Sequence, residues 1–229
     1  KTMAIVNLVS QGNYYINILF FNIMAFFGHY WLFRTMIRLF PDKRKLMYLC
    51  IFFFLPAVFW LSGIRSDGWM FFFFSLLLMS LVTRKGKSRF LGMAAGFAGL
   101  LIFRQQFAFT LVPALLAYYC TIRSRYRPVQ VFLVVYVAAV AVFFATPVIM
   151  GGDGLPGVII KRQQSFSELE GTRFSMPPLQ PTIQSFASSL PTAISNSFLR
   201  PYPWEAKGIF QLLSALEILL FWTIIVYAL

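Results

Sequence analysis

The chain has 229 residues, 59% hydrophobic and only 12% charged, with a mean hydropathy of +0.73 and a net charge of +13. Soluble chains carry roughly 25% charged residues, about twice as many, so a water-soluble globular domain is excluded. An excess of basic residues ordinarily points to nucleic acid, but in a chain this apolar the first question is which loops hold it.

In chain order, the apolar runs predict seven spans: 14–33, 46–61, 69–82, 90–103, 107–121, 129–150 and 209–229. At about 1.5 Å per residue, the first, sixth and seventh cover a hydrocarbon layer of about 30 Å. The middle four are short and require flanking polar residues, a thinned bilayer or a protein-lined setting. The expected fold is all-α, a polytopic transmembrane helical bundle of about seven spans. It forms a single integral membrane domain over 1–229, with one long proline-rich outer loop over 151–208.

The basic residues orient these spans. Arg34, Arg38, Lys43, Arg44 and Lys45 follow the first, Arg84, Lys85, Lys87 and Arg89 the third, and Arg123, Arg125 and Arg127 the fifth. Alternate loops thus hold 12 of the 20 Lys and Arg, while Asp67, Asp153, Glu168, Glu170 and Glu205 fall in the intervening connections. The positive-inside rule then places 34–45, 83–89 and 122–128 in the cytoplasm and 151–208 outside. Most of the charge is topology, and no nucleic-acid partner is expected. The same alternation puts 1–13 outside and calls for an upstream crossing. With Lys first and an apolar run at the end, the sequence reads as a piece of a longer protein, truncated at both ends.

Ionisable groups within or beside the spans carry the functional hypotheses, because burying them is costly. The turn 62–68 (Ser-Gly-Ile-Arg-Ser-Asp-Gly) holds Arg65 and Asp67. It reads either as a phosphate site, with Arg65 as the fork and Asp67 as its support, or as an Arg–Asp pair capping the next helix. Arg104, Gln105 and Gln106 lie between two short spans with no loop to lift them out. They read as recognition of a phosphate or sugar, or as Arg104 paired with Glu217 or Asp67 on another helix. Glu217, in the last span, is expected to pair with a neighbour. His29 is expected to be neutral and hydrogen-bonded.

The outer loop contains seven of the 12 prolines. Val158, Ile159, Ile160, Phe166 and Leu169 fit one face of an interfacial helix. Arg200, Tyr202, Trp204 and Glu205 precede the last span. Tyr202 and Trp204 suit an aromatic belt or the stacking of a sugar or acceptor, with Arg200 and Glu205 facing it. Gly92, Gly96 and Gly99 form a small-residue face for close helix contact. Cys50 and Cys120 make neither a disulfide framework nor a metal motif, so no metal-ligating residues are assigned.

Three outer segments carry a family resemblance: Ser10-Gln-Gly-Asn-Tyr-Tyr-Ile-Asn17, the hairpin Pro56…Phe59-Trp-Leu-Ser-Gly-Ile-Arg-Ser-Asp-Gly68, and Arg200-Pro-Tyr-Pro-Trp-Glu205. Together they resemble bacterial multi-pass glycosyltransferase-like proteins of the GT-C type, the class of protein O-mannosyltransferases and lipid A aminoarabinose transferases. The resemblance implies a bacterial inner-membrane protein using a polyprenyl-phosphate-linked sugar at the outer face. Arg65, Arg104 and Arg200 would hold the donor phosphate. The catalytic acid of that family would lie upstream of Lys1, so the catalytic residue stays unassigned. No cofactor is fixed, and a divalent metal stays open. Two other readings stand beside the enzyme: a non-catalytic integral subunit scaffolding a larger membrane complex, and a polysaccharide polymerase or lipid-linked sugar flippase.

Overall fold

The computed structural model describes residues 2–53, 61–168, 177–206 and 208–228. Among them are helices and turns only: α1 (Thr2–Ser10), α2 (Tyr14–Leu39), α3 (Arg44–Phe52), α4 (Ser66–Thr83), α5 (Gly86–Arg123), α6 (Pro128–Met150), α7 (Gly154–Glu168), α8 (Ile183–Phe198) and α9 (Ile209–Ala228). Four of these, α2, α4, α5 and α6, are long and apolar enough to cross a membrane; α9 is a shorter apolar helix. The all-helical expectation holds, and these four helices mark the chain as a membrane protein. The chain divides into two compact units, 1–115 and 116–229.

In the first unit, α2 starts at Asn13, whose side chain accepts from the backbone N–H groups of Tyr15 and Ile16. Helices α2 and α4 run parallel. Gly68 lies against Ala25, Gly28 against Phe71 and Phe72, and Arg38 Nη1 donates to the Thr83 carbonyl at 2.7 Å. The end of α2 and the end of α4, each with its basic cluster, therefore share one end of the unit. Helix α3 runs back along α2, with Tyr48 edge-on to Phe33 and Phe52 tilted against Phe26 and His29. The rest of the predicted span 46–61 falls largely on 54–60, outside the described residues.

Residues 90–103 and 107–121, expected as separate spans, fall on two helical arms of α5 that meet at Arg104, where the backbone leaves the helix (φ −148°, ψ 72°). At that residue the chain reverses. Before it, contacts run antiparallel to α4: Gly96 lies against Leu77, Gly99 against Phe73, and Phe103 stacks on Trp69 at 5.2 Å. After it, Phe107 packs on Phe74 at 5.4 Å, and Ala108 joins Leu77 and Leu100 in the buried core. Leu100 and Ala108, four residues either side of the break, thus share one buried cluster with Leu77. Phe97 and Leu115 also pack on that core, yet a straight helix would hold them about 27 Å apart.

The glycine face of the first arm makes this approach possible, since a side chain at Gly96 would begin 2.9 Å from the Leu77 nitrogen and the Phe73 carbonyl oxygen. His29 is buried, its Nδ1 2.7 Å from the Ala25 carbonyl oxygen, so the expected hydrogen bond is present.

In the second unit, α6 ends at Gly151. Positive φ angles at Gly151, Gly152 and Gly154 turn the chain sharply into α7. Leu155 N donates to Thr146 Oγ1 at 2.9 Å, fastening the start of α7 to α6. Val158 and Ile159 are exposed on α7; the side chain of Phe166, and Leu169 entirely, lie outside the described residues. Beyond 177–182, α8 is capped by Thr182, which accepts from Ser185 N. The 151–208 segment is thus largely helical where described.

Candidate functional site

Asp67 is in the first turn of α4, where the helix dipole favours a carboxylate. It does not cap the helix; the cap position is Arg65, whose side chain makes no capping bond. Two guanidinium groups converge on its carboxylate instead. Arg104 Nη2 lies 2.6 Å from Oδ1 and Arg65 Nε 3.6 Å from Oδ2. The arginine side chains are about half exposed and Asp67 is 29% exposed. Of the two carboxylates considered for Arg104, the structure selects Asp67.

The fold assembles this group from three directions. The reversal at Arg104 brings its side chain to the start of α4. The turn before α4 presents Arg65 with Gly63 at φ 86°, and Gly63 N donates to Asn22 Oδ1 of α2 at 2.9 Å. Trp69, stacked under Phe103 and edge-on to Phe21, braces the floor. Gln105 and Gln106 follow the break and are exposed.

Charge makes the group distinctive. Asp42 is the only other acid in residues 1–115, and it sits among the basic residues at the opposite end of the unit. Two guanidiniums over one carboxylate leave this trio with a net positive charge. A divalent cation does not fit beside two arginines, and among the described residues no three His, Cys, Asp or Glu side chains gather as a metal site requires.

The other predicted residues assemble separately, in the second unit. Arg200 Nη2 lies 3.1 Å from Glu205 Oε1, its Nη1 donates to Asn196 Oδ1 at 3.1 Å, and its guanidinium lies 5.8 Å from the Tyr202 ring centre. Tyr202 and Trp204 stack nearly parallel at 4.8 Å, and the Tyr202 hydroxyl meets Ser195 Oγ at 3.1 Å. Trp204 is 80% exposed. Glu217 lies half-buried on α9. Sequence reasoning missed Asn22, Ser195, Asn196 and Trp222, which brace these groups. Only Asn196, one helical turn before Arg200, left a legible signal.

These helices and this polar end define an integral membrane protein with a cationic cluster opposite its basic loops. No family model matches the chain, and no curated protein or solved structure matches it.

Proposed function

We propose that the chain is a GT-C-type glycosyltransferase-like protein that binds the phosphate of a polyprenyl-linked sugar at Arg65, Asp67 and Arg104. In this reading, the basic clusters face the cytoplasm and the cationic trio the outer side of a bacterial inner membrane. The seven spans of this reading are α2, residues 46–61, α4, the two arms of α5, α6 and α9. The supporting observation is the convergence of two arginines, one of them the turn residue of a helical hairpin, on the only acid at that end. During transfer, the acceptor hydroxyl oxygen bonds to the anomeric carbon as the carbon–phosphate oxygen bond breaks, and the hydroxyl proton passes to a general base that stays unassigned. Arg65 and Arg104 stabilise the charge on the departing phosphate.

Binding tests this directly. Arg104→Ala should weaken binding of a polyprenyl phosphate to the detergent-solubilised chain about ten- to a hundredfold, the worth of one charge-assisted contact of about 1.5–3 kcal/mol. The uncharged polyprenol should bind both forms alike. Equal phosphate binding by both forms overturns the reading. One observation then favours the integral-subunit alternative: Asp67 already joins Arg65 to Arg104, so the trio can act purely as a clamp between α4 and α5.

A further inference from the structure

Residues 174–199 contain no charged side chain and are flanked by Arg173 and Arg200. Within them, α8 has two distinct exposed sides. Ile183, Leu190, Ile194 and Phe198 are each more than half exposed and, with Ala187, recur at spacings of four, three, four and four. That pattern places them on one helical stripe. Away from the stripe lie Gln184, Ser188 and Ser195. Their polarity is partly hidden: Ser188 Oγ donates to the Ser185 carbonyl, and Ser195 meets Tyr202.

The contacts of α8 fix its level along its neighbours. Phe186 packs on Phe143 and Phe144 at 5.7 and 5.4 Å, about 9 Å short of the last residue of α6. At its other end, the Phe198 carbonyl accepts from Trp222 Nε1 at 2.9 Å, about 20 Å along α9 from its first residue. Helix α8 therefore lies alongside these two apolar helices, not beyond their ends.

We propose that α8 is a membrane-inserted element whose stripe of Ile183, Leu190, Ile194 and Phe198 contacts lipid acyl chains. The occupant follows from chemistry and position. The stripe has no charged rim to recognise a polar partner. It continues the surface of α6, whose apolar window is only 6% buried and is itself fit for lipid. The 16 residues of α8, read in the sequence as part of an outer loop, are thereby moved into the bilayer. This inference does not depend on the phosphate site.

Spin labels test it on the intact chain with Cys50 and Cys120 replaced by Ser, reconstituted in phosphatidylcholine–phosphatidylglycerol vesicles. Nitroxides are placed singly at Leu190, Ile194, Gln184 and Ser188. Those at Leu190 and Ile194 should collide with oxygen several-fold more than with a water-soluble nickel chelate, and those at Gln184 and Ser188 should show the reverse. The proposal is overturned if the chelate reaches both faces equally, if neither reagent reaches the stripe (a protein partner covers it), or if all four labels respond alike. Far-ultraviolet circular dichroism of each labelled chain confirms that the helices persist.

Discussion

Asp67 and Glu205 each hold an arginine, yet they obtain it in opposite ways. Glu205 takes Arg200 from five residues away, within a turn whose Tyr, Trp and prolines are all local. Asp67 takes Arg65 from two residues away but Arg104 from 37. That second partner arrives only because α4 packs against the first arm of α5 and the chain reverses where it does. The local group should survive damage to packing; the long-range group should report it.

The largest expected effect comes from breaking that packing. Gly96→Val places a branched side chain against the Leu77 and Phe73 backbone, which cannot swing aside as a side-chain tip could. A cost of about 1–3 kcal/mol is expected in reversible unfolding in mixed micelles. Loss of phosphate binding should accompany it, while amide exchange at Glu205, whose N–H bonds the Tyr202 carbonyl, stays unchanged. A change there would break the contrast.

Trp222→Phe removes the donor to the Phe198 carbonyl, and a loss of about 0.5–1.5 kcal/mol should appear in the second unit. Asp67→Asn sharpens the functional question at smaller cost. A partly exposed pair contributes about 0–1 kcal/mol, so stability should fall little. Phosphate affinity should hold or rise as the trio gains positive charge. A fall in affinity would show that Asp67 orients the arginines more than it competes for them.

The smallest effect concerns Asp153. The Lys161 ammonium donates to its carboxylate at 2.6 Å and, by charge, holds it below the ordinary carboxyl value of 3.8. A carboxyl lowered in the folded chain stabilises it above the unfolded value, and that contribution is lost as pH falls through the folded one. The start of α7 should therefore be insensitive to pH from neutrality to about 4 and loosen only in stronger acid. Asp153→Asn should abolish that dependence in a pH titration of amide exchange at Gly157, whose N–H bonds the Asp153 carbonyl.

How much of this was legible in the sequence depends on the range of each interaction. The four long apolar helices, the basic clusters and the glycine face follow from patterns within a few residues, and Arg200 and Glu205 were legible as neighbours though not as a pair. Asp67 was on the page as one of two candidates for Arg104, but charge alone could not choose it over Glu217; helix pairing did. The reversal at Arg104 was expected as a boundary, yet not as a single residue, because no Gly or Pro marks it. Helix α8 went unread for another reason. Its serines resemble loop composition, and only the bonds of Ser188 to Ser185 and of Ser195 to Tyr202, with the levels of Phe186 and Phe198, reveal an apolar stripe.

The reversal at Arg104 has an evolutionary consequence. Most helical hairpins turn through loops that absorb insertions and deletions. Here one residue is both the corner and a charged member of the cluster. Adding a single residue after it would rotate the second arm by about 100° about its axis, turning Ala108 away from Leu77. Length at this corner should be held constant wherever the hairpin is kept, even if the identities of Gln105 and Gln106 drift.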